Sequence, residues 1–284
     1  MKDLTLISRN SLTPLIIDKN YTVTLELGGE SILIDSEINE NDGVIYIRED
    51  SKLIIKNYEY NPKGYLNIIP NKLFGIKGEN LTSLSIINGI TLKIASTSYN
   101  AGGIYMGKNI IFEYCNFYYD GISGKNQAIE AEDLIMIISG RYYINSENGK
   151  GIKAKENVYI GKKDSYDSEL LIDINSSDEG IESKDIEIFS GNINITGKNN
   201  GITATNDICK NQKCFGNCKC YIKFYGGITD INSEKNGIIT NGDLFILGGK
   251  LQLFGPSTGE NQPIKKMAYL ELKEEYFFME VIII

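Results

Sequence analysis

The carboxylates of this chain recur at intervals that invite a shared cation. Asp133, Glu156, Asp185, Asp207 and Asp243 fall within a residue of equivalent turns in successive repeats, and Asp178, Glu179, Glu182 and Asp185 crowd one of them. Acids repeated at one strand spacing repel unless they are screened. Calcium takes oxygen ligands at about 2.3–2.6 Å, so it suits two carboxylates one repeat apart. Asp also favours turns because its side chain bonds nearby backbone amides, which reads the same residues without a metal. The expected Ca2+ ligands are Asp133, Asp178, Glu179, Glu182 and Asp185.

Lys153 stands between Glu130 and Glu182 of adjacent repeats. A lysine among acids on a β face invites comparison with the base of a polysaccharide lyase. Two flanking carboxylates favour the ammonium and raise its pKa, whereas a base needs it lowered. An ion-pair ladder is the better reading. The chain has no His, which excludes acid–base and nucleophilic schemes built on imidazole. Acids are abundant, yet none is singled out as the acid or nucleophile of a glycosidase.

Aromatic residues are 18 Tyr and 10 Phe with no Trp, so any sugar platform must be built from phenols and phenyls. Tyr118 and Tyr143, with Tyr105 and Tyr159 near them, offer flat faces to sugar rings or form a ladder that stabilises neighbouring repeats. Tyr118, Tyr143, Tyr105 and Lys153 are the candidate carbohydrate contacts. Four of the five cysteines, Cys209, Cys214, Cys218 and Cys220, share one inserted loop. A loop with little core of its own needs a staple, which favours two disulfides. A zinc knot is the alternative, but Cys218-x-Cys220 is tighter than usual ligand spacing. Three pairings are open. Cys115 lies apart and reads as a small buried hydrophobe.

All of these residues are positioned by a repeat. Gly151-Ile152, Gly180-Ile181, Gly201-Ile202 and Gly237-Ile238 open four segments, and Ala128-Ile129 fills the same slot; the starts lie 23, 29, 21 and 36 residues apart. The shortest copy runs Ile181 and Ser183, then Ile186 and Ile188, then Ser190-Gly191, then Ile193 and Ile195. These are three period-2 runs joined by turns too short for helices. Three strands in about 21 residues predict an all-β solenoid, a parallel β-helix with three strands per coil. The longer spacings read as loops of about 8 and about 15 residues inserted near Gly161–Glu169 and Cys209–Cys220 in an unchanged coil.

In-register stacking sorts the outward residues into columns about 4.8 Å apart. The first strand reads Tyr105, Glu130, Lys153, Glu182, Thr203, Ile239. The third reads Tyr118, Tyr143, Asp173, Asn194, Asp230, Gln252. The second reads Ile111, Met136, Tyr159, Glu187, Lys223, Phe245 and is apolar enough to suggest self-association. The repeat is best defined over 103–264, with Gly103–Met106 and Ile110–Phe112 as a weaker copy. Residues 1–100 have the same texture in degenerate form, as in Leu25–Gly29 and Leu53–Ile55. One domain over 1–284 is expected, with the cysteine loop at 209–220. The tail from Lys265 breaks the pattern, and its Met267–Tyr276 part fits a short helix or a return strand. The apolar ending Val281–Ile284 suggests a segment of a longer chain, so the lack of a signal peptide at Met1–Leu4 says little about location.

Asp178-Glu179-Gly180-Ile181-Glu182-Ser183, Ser190-Gly191-Asn192-Ile193-Asn194-Ile195 and Leu253-Phe254-Gly255-Pro256-Ser257-Thr258-Gly259 carry a family likeness. The chain resembles the carbohydrate-binding β-helix proteins of cellulolytic anaerobes, and Cys218–Phe224 is similar to the version in anaerobic gut fungi. The resemblance covers about 126–264. It implies a right-handed, secreted, Ca2+-containing β-helix, related in shape to pectate lyases but serving to bind plant cell-wall polysaccharide. The chain departs from the family where Lys150, Asn200 and Asn236 replace an Asp before Gly-Ile, and where Pro263 and Lys265 replace Ala and Asp.

A net charge of −8 argues against nucleic acid and against adsorption to anionic lipid. No apolar run reaches the ~18–20 residues of a membrane helix. The expected function is noncatalytic binding of cellulose or acidic sugars such as polygalacturonate. Pectate-type elimination and a structural or adhesive surface role are the alternatives. Because an acidic protein repels an acidic polymer, binding to polygalacturonate calls for a Ca2+ bridge.

Overall fold

In the computed structural model every element among the described residues is a β-strand. It describes residues 2–8, 15–27, 31–36, 43–57, 64–70, 74–96, 101–121, 127–163, 169–205, 220–254 and 280–283. Alternating Ile, Leu and Val produce strands whose burial alternates with period 2. Leu134–Ile137, Asn157–Ile160, Asp185–Ile188 and Tyr221–Phe224 all bury every second residue.

All the strand pairing is parallel, and over the regular region each strand pairs with the strand three places further along the chain. Ile129–Ala131 pairs with Ile152–Ala154, Leu134–Ile137 with Asn157–Ile160, and Gly140–Ser146 with Leu171–Ser176. Three strand stacks result. The third forms a sheet of ten strands, while the first and second merge into one of 17. Two long strands cause the merger, because Phe74–Ile87 and Gly102–Glu113 run through both stacks without a break. The second of these holds both halves of the copy expected at Gly103–Met106 and Ile110–Phe112.

Every outward column inferred from the sequence is reproduced by the register. Tyr105, Glu130, Lys153, Glu182, Thr203 and Ile239 are successive partners, as are Tyr118, Tyr143, Asp173, Asn194, Asp230 and Gln252. The inward residues Ile181, Ile186, Ile188, Ile193 and Ile195 are all buried. The same pairing extends into the N-terminal part, where Leu15, Ile45, Ile76 and Ile104 are partners 30, 31 and 28 residues apart. At the other end Glu280–Ile283 pairs with Lys250–Leu253. Cys209, Cys214, Cys218, Asp207 and Met267–Tyr276 lie outside the described residues.

Packing explains the Gly of the Gly-Ile signature. A Cβ at Gly180 would stand 2.2 Å from Ile195 Cγ2 and 2.7 Å from the Gly201 carbonyl oxygen, and one at Gly201 would stand 2.1 Å from Ile231 Cγ2. At Gly151, Gly180 and Gly201 an inward Ile of the third stack lies over this slot and a methyl group has no room beneath it, while at Gly237 the overlying residue is Leu253 at 3.1 Å.

Candidate functional site

The four residues proposed to contact sugar divide between two faces. Tyr105 and Lys153 belong to the first-stack column, with Glu130 between them. Tyr118 and Tyr143 belong to the third stack. Tyr159, expected near the tyrosine pair, is on the second stack. A strand turn separates each face from the next, so proximity in sequence did not become proximity in space.

On the first face Lys153 Nζ donates to Glu130 at 2.6 Å. Tyr105 donates to Glu132 at 3.0 Å, and burial, reinforced by this bond, pushes its pKa up to about 12. Glu182, the register neighbour of Lys153 in the next coil, accepts from Lys150 Nζ. Lys150 also lies 2.8 Å from Glu179 and 3.7 Å from Asp178. Three of the five expected calcium ligands therefore surround an ammonium group. Burial alone would lower the Lys150 pKa, but bonds to Glu179 and Glu182 outweigh it and hold the group well above its ordinary value. Burial also works against Glu179, whose pKa is nevertheless lowered by Lys150. Asp178 goes the other way, raised by burial and then by its bond to Glu179.

Lys150 occupies the register position that continues through Glu179, Asn200 and Asn236. Asn200 donates to Glu179 at 3.1 Å and Asn236 to Asn200 at 2.9 Å. The departures from a repeated Asp before Gly-Ile thus form one hydrogen-bonded ladder. Calcium needs six to eight oxygens around it. Asp178, Glu179 and Glu182 as placed do not fit it, since the ammonium already stands among them.

The acidic turn column is interrupted as well. Asp133 sits beneath Glu156, and the next coil supplies Lys184, which bonds Glu156 at 2.8 Å. Asp185 is one position further on, in register with Asn157 and Tyr221, and accepts from the Tyr221 amide at 3.1 Å. Asp133 and Asp185 are two coils apart, so they are not the adjacent pair that a shared ion requires. Among the described residues no three acids or cysteines group as a metal site.

The third face holds the expected stack: the Tyr118 and Tyr143 rings lie 5.2 Å apart at 12°. Their facing surfaces satisfy one another, which is the geometry of a coil-stabilising ladder, and the positions flanking the pair in register are Lys93 and Asp173. A second stack escapes the sequence reading. Phe189 and Tyr225, one position beyond their second-stack strands, lie 4.9 Å apart at 13°, with Tyr159 meeting Phe189 edge-on at 6.4 Å. The position beneath Phe189 is Gly161, whose amide bonds the coil below, so no side chain covers that ring from below in register. Beside the stack, Tyr221 donates to Glu187 at 2.8 Å, and Lys223 Nζ lies 4.0 Å from the Tyr221 ring and 3.8 Å from Glu187. Burial and Glu187 together push the Tyr221 phenol up. The apolar second-stack column is thus a mixed strip of aromatic rings and one charge pair. Its signal in the sequence is faint, because Phe189 and Tyr225 are separated by the inserted loop.

Cys115 is buried as expected, its Sγ 3.2 Å from the Tyr142 hydroxyl, and burial pushes its pKa up to about 12. Cys220, expected in a disulfide, is buried with a free thiol whose Sγ lies 3.5 Å from the Ala204 carbonyl oxygen. It stands one residue before the strand Tyr221–Phe224, buried, with its Sγ also 3.8 Å from the Thr240 hydroxyl.

Residues 168–271 match the model of a family described as carbohydrate-binding domain-containing proteins. The matched stretch includes Phe189, Tyr221, Lys223 and Tyr225 and excludes Tyr118 and Tyr143. No curated protein and no solved structure matches the chain.

Proposed function

We propose that this protein binds plant cell-wall polysaccharide without cleaving it, through the aromatic strip of the second strand stack. The observation that carries this reading is a coincidence of position. The part of the chain similar to carbohydrate-binding proteins contains the Phe189–Tyr225 stack with its Glu187–Lys223 pair. Aromatic faces stack on the C–H faces of sugar rings, and a neighbouring carboxylate and ammonium bond hydroxyl groups. A neutral, cellulose-like chain suits a strip whose two charges cancel.

The winding we propose is that of a right-handed, three-faced β-helix, the hand that parallel crossovers take in nearly all proteins. Noncatalytic binding is favoured over β-elimination because Lys153 and Lys150, the lysines beside first-face acids, are engaged by carboxylates. A base requires the opposite environment. An extracellular location accords with such a ligand.

Retention on insoluble cellulose and xylan tests the site. The Phe189→Ala/Tyr225→Ala double variant should lose at least about tenfold in affinity, as expected when stacking worth 1.5 kcal/mol or more is removed. It should still fold, with only a modest drop in its thermal transition, since Tyr225 is 37% exposed and the lost ring pair is worth about 0.5–1.5 kcal/mol. Unchanged retention would remove the strip from the account.

A further inference from the structure

A groove of about 590 Å3 opens on the first face of the N-terminal coils, well outside the stretch similar to carbohydrate-binding proteins. Its floor is the outward column Tyr46, Lys77 and Tyr105, three successive register partners; Lys77 Nζ lies 5.7 Å from the centre of the Phe74 ring, which itself packs against Tyr105 at 5.7 Å. Arg48 and Lys19 line the same groove. The lining holds these three cations against two acids, Glu49 and Glu79, so in a chain of net charge −8 the cleft is a local, slight excess of positive charge.

Hydrogen bonds fix the cleft. Tyr46 donates to Glu79 Oε1 at 2.5 Å and the Glu49 amide to Glu79 Oε2 at 3.0 Å, so both carboxylate oxygens are held. The Tyr46 bond is the main reason that Glu79 lies below the usual carboxylate range. Glu79 therefore serves as structure. Arg48 and Lys19 are held differently, by Asp18 at 2.8 Å and by Glu49 at 2.6 Å in solvent-exposed pairs. Such pairs are weak and can be exchanged for a ligand anion. The guanidinium fork matches a planar carboxylate, and the flanking rings match the apolar face of a pyranose.

We infer that this groove is a second saccharide site, specific for sugars bearing a carboxylate, and that it binds them without a bridging cation. The site does not rest on the Phe189–Tyr225 strip, and it supplies the positive charge that the acidic protein otherwise lacks for an acidic polymer. The cleft size is that of an ordinary ligand site, enough for a short oligosaccharide.

Calorimetric titration of the full chain with trigalacturonate, in excess chelator, is the test. Binding is expected, weakening as salt is raised. It should fall at least about tenfold in Arg48→Gln/Lys77→Gln, the order expected when charge-assisted bonds are lost, and stay unchanged in Phe189→Ala/Tyr225→Ala. Cellotriose binding should show the reverse dependence, so failure of either site is seen separately. Circular dichroism melts confirm that the surface variants fold, and Arg48→Lys, which keeps charge but loses the fork, should be intermediate. Binding only when calcium is added, or equal binding by Arg48→Gln/Lys77→Gln, would overturn the inference.

Discussion

Lys150 does at the residue scale what a divalent ion would otherwise have to do. With 19% of its side chain exposed, it stands among Asp178, Glu179 and Glu182 and is the neutralising charge of that cluster. Replacing it with Met leaves two nearly buried carboxylates side by side. A loss of about 1–3 kcal/mol is expected, less than for a fully buried pair because water still screens the site. The sign of the pH dependence follows from the shifts. Glu179 lies below its ordinary value of 4.5, so its contribution is present above that pH and is lost as pH falls through the folded value. Lys150 lies above its ordinary value of 10.5, so its contribution is present below that pH and is lost as pH rises through the folded value. The gap in melting temperature between Lys150→Met and the parent should therefore be widest near neutral pH and shrink in acid. Excess chelator should leave the parent's melting temperature unchanged, and a clear drop would return calcium to the cluster. The sequence showed the acids and even the substitution at 150, but not that a residue just before the repeated Gly would turn back into them.

At the scale of the element, the Gly-Ile signature reports a steric fact. Gly180 faces Ile195 and the Gly201 carbonyl at distances no Cβ tolerates. Gly180→Ala must push apart two stacks, and overpacking of this kind costs about 1–3 kcal/mol. Chemical denaturation of Gly180→Ala should show that loss, whereas a stability equal to the parent's would mean that the slot is not sterically closed. Because this slot fixes register and the strands alternate strictly, all three outward columns could be read directly from residues 103–252. The N-terminal coils were harder to read for two physical reasons. Their spacings of 28–31 residues are irregular, the Gly-Ile mark survives only at Gly75-Ile76 and Gly103-Ile104 and is lost at Val44-Ile45 and Pro14-Leu15, and two strands cross from the first stack to the second without a turn to punctuate them. The groove built from Lys19, Tyr46, Lys77 and Tyr105 is assembled from four successive coils and is invisible in any single one.

At the scale of the molecule, the solenoid separates its chemistry by face. Tyr118–Tyr143, Phe189–Tyr225 and the Tyr46–Lys77–Tyr105 column lie on the third, second and first stacks respectively. The three columns were legible, but Tyr105 and Tyr159 were grouped with Tyr118 and Tyr143 across them, because which face a residue occupies depends on where each strand ends. Binding without cleavage is the claim on which the account stands. It is tested most directly by incubating the full chain with insoluble cellulose and with pectin, measuring the bound fraction together with the ultraviolet absorbance of unsaturated oligogalacturonides. The expected result is retention on at least one polymer with no rise in absorbance. Release of unsaturated product, or no retention on either polymer, would contradict it.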